Sequence, residues 1–384
     1  MIRPDWLMKR KNSVNVIFIS DIHFLNSRVS SFDLANRIIE MLQPVFIENE
    51  IDYLVIAGDI FDEAGYLPQD DFLHIHAWFA TLLELARINN TKIRILEGTP
   101  SHDRKQSKHL AAINQNSSHA TQVEVKYMDK ITLLMEDDGS TWLYVPDEVH
   151  HDPEVVLELV KEKLHENGLS SVDFIVTHGM YNHHLKTGMF IPAHDADAYL
   201  ALANLYIDNG HIHTSSVYKK RFITNGSADR LKQGEEEKKG AWHLEVSNKG
   251  VHGDRLTFIE NKKATYIVTI NLLDYTFEKA LIAIEKHCHP TEKRYIRLDI
   301  GEELHANGIV RHFADKYPFI HWAKKIHRNK NKDSDELLVF KRVEDIKVIN
   351  SETVSDLLRK EMQLVGILEE EITATLELLE KEAI

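Results

Sequence analysis

Aspartate and histidine residues follow five short apolar segments of this chain of 384 residues. The five blocks are "DIH" (21–23), "GDIFD" (58–62), "GTPSHD" (98–103), "THG" (177–179) and "GHIH" (210–213). A helix cap or an ordinary turn explains any one block as well, but five equivalent positions in one chain indicate a shared site. Carboxylate and imidazole groups bind Mn, Fe, Zn and related divalent ions. The pattern therefore predicts a metal centre.

The number of these candidate ligands suits two ions rather than one. A dinuclear centre holds its ions about 3.5–4 Å apart and clamps the attacking and leaving oxygens of a phosphoryl transfer. It also lowers the pKa of a bound water, so that hydroxide is available near neutral pH. Asp59 is the natural bridging carboxylate. We therefore expect metal-dependent hydrolysis of a phosphoester.

The segments that must position the five blocks alternate between strand and helix. Runs rich in β-branched residues predict buried strands at 14–20, 51–58, 92–98 and 172–179. Amphipathic patterns predict helices at 32–49, 70–89 and 153–167, and antiparallel strands are expected at "ITLLM", "TWLYVP", "RFITNG" and "AWHLEV". This order predicts an α/β fold, a two-sheet sandwich with helices on its outer faces. Ligands then gather at the carboxyl ends of the parallel strands.

Composition narrows the class of protein. The chain is 43% hydrophobic with a net charge of −14, which predicts a globular protein that does not coat nucleic acid by itself. A single cysteine, Cys288, excludes a disulfide framework and fits a reducing compartment. No run approaches the roughly 18 apolar residues of a membrane span, and the charged segment at 1–12 lacks the apolar centre of a secretion signal. We expect a cytoplasmic protein without a membrane partner.

The ordered set of five blocks resembles the calcineurin-like metallophosphoesterases. Within that family the chain is most similar to the SbcD-type (Mre-type) nucleases of bacteria and phages, which process double-strand DNA breaks. This finer resemblance rests on the form "GDIFD", on the distances between blocks and on a C-terminal extension.

The resemblance implies a role for each matching residue. The first metal is implied to be held by Asp21, His23, Asp59 and His213, and the second by Asp59, His178 and His211. His102 matches the catalytic histidine, which assists the leaving oxygen as a general acid or charge stabiliser. Asp103 is implied to orient the His102 imidazole, with a simple turn cap as the alternative. Asp62 supports a ligand or stabilises its own turn.

The third block departs from the family pattern. The family has Gly-Asn-His-Asp, in which the Asn amide oxygen ligates the second metal, whereas this chain has Gly-Thr-Pro-Ser-His-Asp. Ser101 directly precedes the histidine and Thr99 directly follows the glycine. We favour Ser101 as the replacing ligand, with Thr99, a backbone carbonyl or water as alternatives.

Two basic clusters stand close in sequence to the predicted ligands. Arg104 and Lys105 follow the third block, and Lys219 and Lys220 follow the fifth. A charge cluster is often only a solvated face, but DNA phosphates would have to lie beside the metals. These four residues are therefore the predicted contacts to the substrate backbone.

Three domains are expected. The predicted divisions are a metallophosphoesterase nuclease domain at 1–255, a small α/β capping domain at 256–345 and a helical segment at 346–384. Apolar residues recur at steps of three, four or seven in that last segment, so it forms an amphipathic helix that packs on its own domain or binds a partner. The resemblance implies that the partner is an SbcC-type ABC ATPase with a coiled coil, and that the nuclease is a homodimer. The chain itself has no phosphate-binding Gly-x-x-x-x-Gly-Lys-Ser/Thr loop.

The resemblance thus implies a Mn-dependent DNA nuclease, with exonuclease action on double-stranded ends and endonuclease action on single strands. Two alternatives remain open. The first is a phosphodiesterase acting on a small molecule or RNA, which the acidic composition favours. The second is a catalytically weak binding subunit, which the missing Asn favours.

Overall fold

The computed structural model describes residues 5–9, 13–62, 69–115, 122–186, 188, 191–247 and 253–327. Its described part begins with a short helix, α1 (Asp5–Lys9), and contains two six-stranded sheets. The first sheet has the order β12-β11-β1-β2-β3-β4 and the second the order β5-β6-β7-β8-β10-β9. These two sheets form the predicted sandwich.

The first sheet is parallel from β1 to β4 and antiparallel at β11 and β12. Its strands are β1 (Val14–Ile19), β2 (Tyr53–Ala57), β3 (Lys92–Leu96), β4 (Val125–Met128), β11 (Gly240–Val246) and β12 (Arg255–Glu260). In the second sheet β6, β7, β8 and β10 are parallel, and the edge strands β5 and β9 are antiparallel. Its strands are β5 (Thr132–Met135), β6 (Thr141–Val145), β7 (Val172–His178), β8 (Ala203–Gly210), β9 (Ser216–Tyr218) and β10 (Phe222–Thr224).

Alternation of side chains along the strands divides the core into layers. Ile17 and Ile19 of β1 pack against helices outside the first sheet, whereas Val16 and Phe18 pack toward the second sheet. The outer helices are α2 (Ser31–Glu48), α3 (Gln69–Asn89), α4 (Lys108–Gln115), α5 (Pro153–Glu166) and α6 (Ala196–Leu202). The predicted α/β sandwich with helices on its outer faces is confirmed.

A third sheet follows the sandwich. It contains three parallel strands, β13 (Tyr266–Asn271), β14 (Arg294–Gly301) and β15 (Ile320–His327), connected by α7 (Phe277–Glu285), α8 (Glu302–Ala306) and α9 (Ile309–Lys316). Gly308 takes a left-handed φ of 67° and separates α8 from α9. Ile296, Leu298 and Phe313 belong to a separate core under this small α/β unit.

One predicted domain limit, at residue 255, does not agree with the strand pairing. Strand β12 pairs with β11 along its whole length, so the limit set at residue 255 falls at the start of a strand of the first sheet. The sequence missed this strand because its burial is partial. Residues 328–345 and the predicted helix at 346–384 lie outside the described residues. Among the described helices, none is long and apolar enough to cross a membrane.

Candidate metal centre

The predicted ligands converge at one edge of the sandwich, where β1, β2, β7 and β8 end. Four of them are non-glycine residues with left-handed φ angles: Asp21 (49°), His23 (54°), Asp59 (50°) and His211 (78°). Such angles are costly for residues with a Cβ atom and occur mainly where the surrounding structure enforces them. Their backbones are fixed by hydrogen bonds from Asp21 N to Gly58 O (3.0 Å) and from His23 N to Asp59 O (3.1 Å).

Glycine permits the close approach of these strand ends. A Cβ atom at Gly58 would overlap the ring of His178, and one at Gly98 would overlap the backbone and carboxylate of Asp59. The first of these glycines also has a φ of 85°. The ends of β2, β3 and β7 are therefore packed closely enough to bring their ligands together.

The first ligand group contains Asp21, His23 and His213, with Asp59 beside it. The Nε2 atoms of His23 and His213 lie 3.1 Å apart, and both lie about 4 Å from Asp21 Oδ1, at 4.0 and 3.9 Å. On the other side of each ring, Nδ1 faces a carboxylate, Asp62 Oδ1 at 3.0 Å and Glu235 Oε1 at 2.6 Å. A proton on each Nδ1 leaves two Nε2 lone pairs facing each other, an arrangement that a cation between them would stabilise.

The second ligand group contains Asp59, His178 and His211. His178 Nδ1 donates to the carbonyl of Ala57 (2.7 Å), so its Nε2 is free to act as a ligand and lies 3.2 Å from Asp59 Oδ2. Burial opposes a charge on His178, but the nearby Asp59 carboxylate raises the pKa of this imidazole well above its usual value. The strong attraction of Asp59 for positive charge is what a bridging carboxylate requires. The donors of both groups fit divalent cations.

Thr99, not Ser101, stands in the second ligand group. The Ser101 side chain is exposed, whereas Thr99 is buried and its Oγ1 lies 3.2 Å from Asp59 Oδ2 and 3.4 Å from His178 Nε2 and His211 Nδ1. The placement expected for Ser101 is therefore wrong. The chain turns directly after Gly98, since the amides of His102 and Asp103 both donate to the carbonyl of Thr99, and this turn carries Ser101 out to the surface.

His102 lies between the ligands and the solvent. Its side chain is 35% exposed, and its Nδ1 lies 3.1 Å from Asp59 Oδ2. The hydrogen bond with Asp59 raises the pKa of His102. This geometry holds the ring by one nitrogen and leaves the other available to a group in the cleft.

Asp103 does not have the orienting contact with His102 that was expected. Its buried carboxylate accepts hydrogen bonds from the backbone amides of Asp59 (3.0 Å), Phe61 (3.0 Å) and Gly98 (2.9 Å). Burial and the charge of Asp59 raise the pKa of Asp103 to about 7, against the effect of these amides. Asp103 therefore fastens the loop of His102 to the loop of Asp59, and it is Asp59 that contacts the imidazole.

The four predicted substrate-binding residues lie in two different places. Arg104 and Lys105 are exposed beside His102, and Lys105 Nζ lies 3.3 Å from Asp129. Lys219 and Lys220 occupy the turn before β10, which runs parallel to β8, so this turn lies at the opposite end of the strand from the edge that carries His211. Lys219 also forms an ion pair with Asp197 (2.7 Å). The expected position of Lys219 and Lys220 beside the metals is therefore wrong.

Sequence reasoning missed the carboxylates of Asp147 and Glu235 and left the role of Asp62 undecided. Asp62 and Glu235 face the Nδ1 atoms of His23 and His213, as described above. The Oδ2 atom of Asp147 lies 3.5 Å from the Nδ1 atom of His211. Asp147 had a usable signal, because it follows β6, the parallel neighbour of β7. Glu235 had none, since it lies in an irregular segment far along the chain from its partner.

A cleft with a volume of about 700 Å³ opens in front of both ligand groups. Its lining includes the ligands His23, Asp59, His211 and His213, together with His102, Arg28, Lys232, Glu235 and Glu237. Arg28 Nη1 donates to the carbonyl of Leu231 (3.1 Å), and the carbonyl of Arg28 accepts from Lys293 Nζ of the small α/β unit (2.8 Å). The small unit thus contacts the wall of this cleft.

Comparison with known proteins agrees with the fold. Residues 14–268 match the family model described as "Calcineurin-like phosphoesterase". The chain belongs to this family, whose members hydrolyse phosphoesters at a dinuclear centre of divalent metal ions. No curated protein matches the chain.

The chain is also similar to solved structures that are distant from it in sequence. GAP50, described as the anchor in the inner membrane complex of Plasmodium, is 13% identical, and the match covers 66% of this chain and 86% of that one with a TM-score of 0.41. The calcineurin-like phosphoesterase YfkN from Bacillus subtilis is 10% identical over 72% of this chain and 96% of that one, with a TM-score of 0.37.

The chemistry of the centre follows from the placement of these groups. When bound, two divalent cations lower the pKa of a water and offset the charge of the phosphoryl group. Asp59 lies between the two ligand groups and can serve both. His102 is held at Nδ1 by Asp59, so its other ring nitrogen can give a proton to the leaving oxygen of a phosphoester in the cleft.

Proposed function

We propose that the chain is a DNA nuclease of the SbcD type, which hydrolyses phosphodiester bonds with Mn as the working metal. The observation that carries this proposal is the contact between the small α/β unit and the wall of the cleft. Lys293 and Tyr295 of that unit donate to the carbonyl of Arg28, whose side chain lines the cleft. A unit fastened in this position can hold a long substrate across the metal ligands.

The distribution of basic groups supports a phosphate-rich substrate. Arg28 and Lys232 line the cleft, and Arg104 and Lys105 are exposed next to His102. Local positive charge of this kind can bind a phosphate backbone even though the whole chain is acidic. We propose these four residues as the contacts that position DNA.

The proposal extends to partners and location. As in SbcD-type nucleases, we propose a homodimer in the cytoplasm whose segment at 346–384 binds the coiled coil of an SbcC-type ABC ATPase. Cleavage would comprise exonuclease action on double-stranded ends and endonuclease action on single strands.

One assay tests the nuclease activity. The full chain is incubated with linear duplex DNA and with circular single-stranded DNA in Mn, with and without chelator, beside a His102→Ala variant. We expect cleavage of both substrates that requires Mn and falls steeply in the variant. Equal cleavage in every sample would instead indicate a contaminating nuclease and overturn the mechanism.

A second assay tests the contacts to DNA. Lys232→Ala should weaken DNA binding and reduce its salt dependence by about one phosphate contact. Lys219→Ala is the matched control, because Lys219 is exposed, paired with Asp197 and far from the cleft edge. Equal losses in the two variants would contradict the proposed path of the DNA.

A phosphodiesterase acting on small molecules or RNA is the second candidate. The observation that favours it is the number of acidic groups in the cleft, where Asp62, Glu235 and Glu237 all contribute to the lining. Hydrolysis of a small phosphodiester or of RNA without cleavage of DNA would support this candidate. Binding of DNA without any hydrolysis would indicate a catalytically weak binding subunit.

A further inference from the structure

The second ligand group contains a carboxylate that has no counterpart in the five sequence blocks. Asp147 follows β6 and its side chain is only 12% exposed. Its Oδ1 accepts from the backbone amide of Glu148 (2.9 Å), which leaves Oδ2 facing the ligand group. That Oδ2 atom lies 3.2 Å from Thr99 Oγ1 and 3.5 Å from His211 Nδ1.

The spacing of the atoms around this point is that of ligands around one cation. With metal–ligand distances of about 2.1 Å, neighbouring ligands lie roughly 3.0 Å apart in octahedral and 3.4 Å apart in tetrahedral geometry. Asp59 Oδ2 and His178 Nε2 are 3.2 Å apart, and His211 Nδ1 and Asp147 Oδ2 are 3.5 Å apart. Asp147 Oδ2 therefore lies at ligand spacing from one member, His211, of the group formed by Asp59, His178 and His211.

The two carboxylates in the group also favour a cation. The Thr99 hydroxyl lies 3.2 Å from a carboxylate oxygen of Asp59 and 3.2 Å from one of Asp147, but it has a single proton to donate. The hydroxyl can therefore donate to only one of these two carboxylates at a time, and a cation close to both would be attracted by both negative charges. Among the described residues, His211 is the group within ion-pair distance of Asp147.

We infer that Asp147 ligates the second cation through Oδ2 and takes the place of the amide that this family supplies from its third block. A carboxylate is a stronger ligand for Mn-like cations than the neutral hydroxyl of Thr99, which instead donates to one of the two carboxylates. The exchange of an amide for a carboxylate adds one negative charge to the second site. This inference rests on the dinuclear centre of the proposed function, and not on DNA as its substrate.

Manganese binding to the metal-free full chain tests the inference independently of activity. Stoichiometry and affinity are measured by calorimetry, and the exchange-coupled Mn pair is followed by electron paramagnetic resonance. The unsubstituted chain should bind two Mn ions and give the coupled signal. Asp147→Ala should retain one tight ion, bind the second more weakly by at least about 10-fold, and lose most of the coupled signal.

Three further variants sharpen the test. Asp147→Asn restores an amide and should bind the second ion with an affinity between those of Asp147→Ala and the unsubstituted chain. Glu148→Gln removes the neighbouring exposed carboxylate and should bind both ions normally. Thr99→Val removes the hydroxyl without changing the size of the side chain, and should also keep both ions. Thermal unfolding of each metal-free variant establishes that it is folded.

The outcomes separate this inference from the proposed function. Full binding of both ions by Asp147→Ala, or loss of the second ion in Thr99→Val alone, would overturn the role of Asp147. A single Mn ion in the unsubstituted chain would overturn it as well. If the chain binds two Mn ions and the second depends on Asp147, but DNA is not cleaved, Asp147 remains a ligand and the proposed nuclease activity is refuted.

Discussion

Glu235 Oε1 lies 2.6 Å from Nδ1 of His213, and the other oxygen of this carboxylate accepts from the amide of Leu231 at 2.8 Å. Burial opposes ionisation, but the hydrogen bond with His213 and the charge of that ring lower the pKa of Glu235 to about 2. A fixed anion on the outer nitrogen of a histidine sets both its tautomer and its direction. The first ligand group is thus oriented from a segment 22 residues beyond His213.

Glu235→Gln should weaken binding of the first Mn ion by about 10- to 100-fold, because the ring of His213 loses the anion that orients it. Titration calorimetry with metal-free protein measures this affinity. Glu237→Gln is the matched control, since Glu237 lines the same cleft but pairs with Lys239 instead of a histidine. Unchanged Mn affinity in Glu235→Gln would show that His213 is oriented without this contact.

His102→Ala should lower kcat for a phosphodiester by roughly 10²- to 10⁴-fold, the usual contribution of a general acid. Because His102 contacts Asp59 from the solvent side, Mn stoichiometry should stay at its normal value. Steady-state kinetics and calorimetry together check both statements, with His109→Ala as an exposed-histidine control. Loss of a metal ion in His102→Ala would reassign this residue as a ligand.

Arg94→Met should destabilise the fold by about 3–5 kcal/mol, because the buried Glu136 carboxylate loses its buried partner and keeps the partly exposed Lys92, 3.1 Å away, as a cation beside it. The fully buried guanidinium of Arg94 contacts Glu136 through Nε at 2.9 Å and Nη2 at 2.6 Å, and Glu124 at 2.6 Å. Urea unfolding measures the loss. Lys126→Met removes an exposed partner of Glu124 and should cost less than about 1 kcal/mol. Equal losses of unfolding free energy in Arg94→Met and Lys126→Met would show that burial does not increase the contribution of Arg94.

His184 should make the fold sensitive to acid. Burial, followed by the charge of His183, lowers the pKa of His184 to about 3, and its Nε2 lies 2.9 Å from Thr224 Oγ1. Since the unfolded chain binds this proton near pH 6.5, the stabilising contribution is complete above that pH and is lost as pH falls toward 3.

The measurement is the free energy of unfolding from pH 7 to 4 in chelator, for the unsubstituted chain and for His184→Gln. The unsubstituted chain should lose stability more steeply, by at most about 1.4 kcal/mol per pH unit. His289→Gln, which replaces a partly exposed histidine of the small α/β unit, should leave the slope unchanged. Parallel curves for His184→Gln and the unsubstituted chain would refute the prediction.

The sandwich was predictable because its parallel strands are buried on both faces. Their apolar runs are continuous, and the predicted and observed elements agree closely, as for the helix expected at 153–167 and found at Pro153–Glu166. The gathering of Asp21, Asp59 and His178 also followed from sequence, since the carboxyl ends of parallel strands meet at one edge.

What sequence could not predict depends on the path of short loops and on contacts between distant segments. The exchange of Ser101 for Thr99 comes from a turn that closes directly after Gly98, and residue spacing does not reveal where such a turn begins. Lys219 follows His213 closely in sequence, but the intervening strand β9 carries it away from the edge. Glu235 was unpredictable because an isolated glutamate in an irregular segment has no periodicity to mark it.

Four predicted metal ligands have a left-handed backbone: Asp21, His23, Asp59 and His211. At these positions a relaxed backbone and a metal-binding side chain cannot both be obtained. Each residue carries a strain of about 1 kcal/mol or more that glycine would relieve. Glycine at any of the four positions would relieve this strain and remove a metal ligand at once. Variants selected for hydrolysis should therefore retain the strained residues.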